Sequence, residues 1–219
     1  MMNRPVRPIH RNLATLILLL TIAVAGLNEL VVFSSLLAGL PMLVMAHHYL
    51  FAPSGLRLPA ALGLRLDGIS WRALFLFTVA LIAVDQGGTI LITIVTRALG
   101  FEAALEEGIE ETVLFGHPAM AALLAIDGIV SAPVMEEIGF RGLLYMTLRS
   151  RFRPLPAAII SASLFGVVHM YSLSGLLVIV WTGFILALAY ERCRSLWPCI
   201  LAHSFNNLLY FADLVFLYR

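Results

Sequence analysis

Lysine is absent from the 219 residues, so all 14 basic side chains are arginine. Charge of either sign is scarce: 12% of residues are charged, against about 25% in a soluble domain, and 61% are hydrophobic. So little polar surface excludes an ordinary water-soluble fold. A formal net charge of +1 with no basic patch gives no footing for nucleic acid. There are only two cysteines, Cys193 and Cys199. They form neither a disulfide framework nor a C-x-x-C redox pair, which leaves them packing roles. No internal repeat or low-complexity segment is evident. What remains is an integral membrane protein: an all-α, polytopic transmembrane helical bundle.

The apolar runs predict about seven spans. They cover 13–27, 30–51 (bent at Pro41), 71–98, 119–149, 155–171, 173–190 and 196–217. The first is short and follows an arginine-bearing tail, but no A-x-A-like site comes after it, so it reads as a retained span and not a cleaved signal. Asp85-Gln86-Gly87-Gly88 interrupts the third, and Pro133 is expected to kink the fourth. Residues 1–117 then form N-terminal spans plus an acidic surface segment, with five glutamates at 102, 106, 107, 110 and 111. Residues 118–219 form a second half that holds most of the polar motifs.

Arginine placement fixes an orientation. With the N-terminus cytoplasmic, Arg4, Arg7, Arg11, Arg57, Arg65, Arg72, Arg149, Arg151, Arg153, Arg192 and Arg194 all fall inside, and the acidic segment falls outside. That distribution follows the positive-inside rule.

The densest signal is Ser131-Ala132-Pro133-Val134-Met135-Glu136-Glu137-Ile138-Gly139-Phe140-Arg141-Gly142. A charged side chain at membrane depth costs roughly 2.5–3.5 kcal/mol on insertion scales, so each is a functional candidate. Glu137 and Arg141 are four apart and share a helix face, which suits a pair. Glu136 points about 100° away, toward other helices. Span five carries Phe165-Gly166-Val167-Val168-His169, and span seven carries His203-Ser204-Phe205-Asn206-Asn207. His203 and Asn207 also share a face. A carboxylate, a histidine and a water between them suit general-base chemistry, and a histidine with an amide suits an oxyanion. Asp85 and Gln86 read as facing the bundle interior, and His47 and His48 as interfacial. Asp127 is expected nearer the outer surface.

Glu136-Glu137-x-x-x-Arg141, Phe165-x-x-x-His169 and His203-x-x-x-Asn207 occur in that order on successive apolar helices. Over 118–209 the chain resembles the CPBP family of intramembrane proteases, also called the CAAX-protease, bacteriocin-processing or Abi family. The resemblance implies a helical core enclosing an intramembrane catalytic cavity, and an endopeptidase acting on a membrane-associated or lipid-anchored protein or peptide. It implies that Glu136 activates water with His169, and that His203 and Asn207 stabilise the tetrahedral intermediate. Glu137 and Arg141 take supporting places. No cofactor is favoured; if zinc is used, Glu136, His169 and His203 are its ligands, three plus water suiting a catalytic site. The expected setting is a bacterial cytoplasmic membrane.

Helix counting sets these residues at unequal depths. At 1.5 Å per residue, Glu136 lies ~18–20 Å from the cytoplasmic end of its helix, His169 ~21 Å and His203 only ~10 Å.

Overall fold

A computed structural model describes residues 34–47, 60, 62–64, 70–101, 113–169 and 172–218. The predicted first span and the glutamates at 102–111 lie outside the described residues. Within them the chain forms six helices: α1 (Ser34–Ala46), α2 (Trp71–Ala98), α3 (Pro118–Arg149), α4 (Pro154–Val168), α5 (Leu173–Cys193) and α6 (Trp197–Tyr218). There is no strand among the described residues. Local chemistry sets the ends. Ser70 caps α2, its Oγ accepting from Ala73 N–H at 3.4 Å, and Gly100 just beyond the helix adopts φ +83°. His117 caps α3 ahead of Pro118, whose missing N–H costs nothing at a first turn. Ser172 caps α5, and Arg194 ends it in the left-handed region.

Four of these helices, α2, α3, α5 and α6, are long and apolar enough to cross a membrane. Their outward surface is apolar: Trp71, Phe75, Leu91 and Ile94 on α2 are each more than half exposed. Water would not tolerate such a surface, and lipid satisfies it. α4 has only 15 residues. It rises ~22 Å, short of a ~30 Å hydrocarbon core, so starting from the arginine-bearing end it delivers His169 at membrane depth.

One expectation about helix shape is corrected. The polar run Asp85–Gly88 leaves α2 unbroken over all 28 residues. Gly88 is needed there because a Cβ would lie 2.1 Å from the Trp181 indole of α5. Pro133, where a kink was expected, lies between two widened turns of a continuous α3. Asp127–Ser131 and Ile138–Tyr145 are π-helical turns flanking a short α segment, Ala132–Glu137. The wider turn before Pro133 makes room for a ring that would strike a carbonyl one α-turn back.

Three arginine-bearing connections meet at one end. Leu196 N–H donates to Gly63 O at 3.1 Å, and Trp197 Nε1–H to Leu64 O at 2.9 Å. Arg149 Nε and Arg194 Nη2 reach Glu191 at 3.0 and 2.7 Å. The connection before α2 and the α3–α4 and α5–α6 turns therefore share a side. A reporter fused after Arg153 should read cytoplasmic, and one fused near Glu107 external. The opposite pattern in an alkaline phosphatase and fluorescent-protein pair would reverse the orientation.

Candidate active site

The site is built where α3, α4, α5 and α6 cross. Glu137 and Arg141 pair at 2.7 Å through Oε1 and Nη1, with side chains 0% and 1% exposed. Arg141 Nη2 donates to Gly183 O of α5 at 3.2 Å, and its guanidinium lies 4.6 Å from the Phe165 ring centroid. That ring organises the centre. It meets His169 edge-on at 4.6 Å, His203 at 5.9 Å and Phe140 at 4.8 Å between centroids. The close approach of α4 to α5 depends on small residues: Gly183 faces Ala162, and a Cβ on Gly166 would lie 2.5 Å from Val180 Cγ2. A Cβ on Gly183 would lie 3.1 Å from Phe165 and 3.2 Å from Ala162 Cα.

Glu136 lies on the neighbouring face. Its Oε2 is buried and meets no hydrogen-bond donor among the described residues. His169 Nε2 and His203 Nε2 each stand 3.7 Å from that oxygen, too far for a direct bond and within reach of a bridging water.

What lies behind each ring distinguishes the two histidines. His169 Nδ1 is 2.6 Å from Phe165 O. A carbonyl only accepts, so Nδ1 carries a proton, and Nε2 is the ring atom turned toward Glu136. His203 Nδ1 is 2.9 Å from Glu137 Oε1. A carboxylate only accepts, so this Nδ1 carries a proton as well. Each imidazole is anchored through Nδ1 and turns Nε2 toward Glu136.

Asn207 Nδ2 donates to Gly128 O of the first π turn at 2.7 Å, which fixes the amide while using one of its two hydrogens. Asn206 joins a separate network. It donates to Asp85, whose other oxygen accepts from Thr182 Oγ1 at 3.0 Å, and it accepts from Gln86 Nε2 at 2.8 Å. Asp85 is fully buried and fastens α2, α5 and α6 together. Asp127 is buried within the bundle. Cys199 is free and buried, and its Sγ–H is directed to Leu186 O at 3.4 Å.

The structure thus gathers Glu136, Glu137, Arg141, His169 and His203 into one cluster and leaves Asn207 one helical turn along α6, held to α3. Despite the unequal counts, His169 Nε2 and His203 Nε2 reach the same 3.7 Å from Glu136 Oε2. The π turn after Glu137 shortens the run of α3 to the shared arginine end. The link from Glu137 to His203 and the Asp85–Asn206 contact were not foreseen. Tetrahedral zinc, with bonds of ~2.0–2.1 Å, sets its donors ~3.3 Å apart. The 3.7 Å spacings here are wider. Among the described residues no three His, Cys, Asp or Glu side chains are placed to hold one metal ion.

Comparison with known proteins agrees with the motif reading. Residues 118–209 match the family described as type II CAAX prenyl endopeptidase Rce1-like. A Bacillus subtilis protein, named "Putative membrane peptidase YdiL", is 34% identical over 89 residues, 41% of this chain and 36% of that protein. The match therefore spans about a third of that relative's length. No solved structure matches.

Proposed function

We propose, from the CPBP-type, Rce1-like core that residues 118–209 form, that this membrane protein is an endopeptidase in which Glu136 activates water. The observation that carries this is the placement of Glu136 Oε2: buried, unmet by a donor among the described residues, and equidistant at 3.7 Å from two imidazole nitrogens. A water bonded to Glu136 and His169 Nε2 faces two acceptors, so both of its protons are directed away from its nucleophilic lone pair. Its oxygen attacks the scissile carbonyl carbon while Glu136 takes a proton. The resulting oxyanion is met by His203 Nε2–H, supported by Glu137, and by the second N–H of Asn207. On collapse the C–N bond breaks and Glu136 returns its proton to the leaving amine.

The substrate proposed is a membrane-associated or lipid-anchored peptide. A fluorogenic prenylated CAAX-type peptide is the first probe, because that is the chemistry named by the matching family. Comparison of membrane proteomes with and without active protein covers other substrates. Purified active protein should hold well under one metal equivalent and keep cleaving after exhaustive chelation. Activity lost on chelation and restored by zinc alone would move Glu136, His169 and His203 into ligand roles.

A further inference from the structure

Resting on the reading that Asn207 serves the hydrolysis, we infer that Pro133 is a positioning residue, whose missing N–H leaves the Gly128 carbonyl to hold the Asn207 amide. In the π turn that begins at Asp127, Ala132 N–H donates to Asp127 O, five residues back. The next bond in that register would run from the N–H of residue 133 to Gly128 O. Proline has no N–H. The carbonyl so released is the one that receives Asn207 Nδ2–H at 2.7 Å. Gly128 meets α6 a second time: a Cβ there would lie 2.6 Å from Phe211 Cε2. Phe211 is one turn beyond Asn207, so two successive turns of α6 seat on one residue of α3. Three positions before Glu136, the proline therefore joins the helix that carries the base to the amide that faces the oxyanion. A proline retained in a buried helix for packing alone would have no reason to expose the carbonyl that this amide uses.

The test compares two replacements in full-length protein in detergent. Pro133→Ala removes the ring and adds an N–H. Replacement of Pro133 by lactic acid through nonsense suppression removes the same ring and adds none. Turnover of the prenylated peptide by Pro133→Ala should fall about tenfold or more, with KM within about twofold, because an oxyanion donor has lost its seat. Its melting temperature should be unchanged or higher, since a helical hydrogen bond has been gained. The lactic acid variant should keep turnover near wild type. The Asn207 side-chain amide, labelled with 15N and assigned by its loss in Asn207→Ala, should show one slowly exchanging proton in wild type and with lactic acid, but not in Pro133→Ala. Equal loss of turnover in both variants, or equal retention, overturns the inference, as does an amide signal unchanged by Pro133→Ala. If wild type does not cleave the peptide, the hydrolysis reading has failed in this assay and the amide signals alone decide the anchor.

Discussion

Glu136→Gln is expected to abolish turnover in protein that folds as well as wild type. Gln has the same size and can still bond a water, but it cannot take a proton at reaction. Removing a general base typically costs ~10²–10⁴ in rate, and here the same group also returns the proton to the amine, so the loss should lie at the upper end. Stability should change little, because the replacement keeps the shape and polarity of the side chain, so the melting temperature should stay close to wild type. Binding of an uncleaved substrate should survive, which separates this reading from a membrane scaffold or immunity protein with the same fold. Full turnover by Glu136→Gln, in protein free of wild-type contamination, would remove Glu136 from the chemistry.

The residues that could be read ahead of the structure are those whose geometry is local. Glu137 and Arg141 were expected to pair because a helix places i and i+4 side by side, and they do at 2.7 Å. The bounds of α2 matched the predicted apolar run, 71–98. Glu136 was expected to look toward another helix because nothing on its own lay at a suitable spacing. Contacts between helices were not legible. His203 reaches Glu137 across 66 positions, and Asn206 reaches Asp85 across 121; no periodicity within one helix encodes either. The π turns were missed because a proline in an apolar run signals a kink as readily as a widened turn. Only the paths of neighbouring backbones decide between them. The depth count failed for the same reason, since it assumed parallel helices of regular α geometry.

Glu137 is the second large effect, and it separates stability from catalysis. Its Oε1 takes both Arg141 Nη1 and His203 Nδ1, so one carboxylate compensates a buried guanidinium and anchors an imidazole. Glu137→Gln keeps an acceptor and removes the charge. Arg141, 1% exposed, is left without its counter-charge, and breaking a buried pair in this way typically costs about 3–5 kcal/mol. Lower yield and a clearly depressed melting temperature should follow. The anchor of His203 Nδ1 is weakened as well, so turnover per folded molecule should fall by roughly 10²–10³, the cost of one oxyanion donor. A double replacement divides the two effects. Glu137→Leu with Arg141→Met removes the orphaned charge, and apolar substitutes for a buried ion pair are often neutral or stabilising. The melting temperature should return toward wild type while turnover stays low. Recovery of both together would mean that Glu137 acts only through folding. A stable, wholly inactive Glu137→Gln beside a partly active Glu136→Gln would exchange the roles of the two carboxylates.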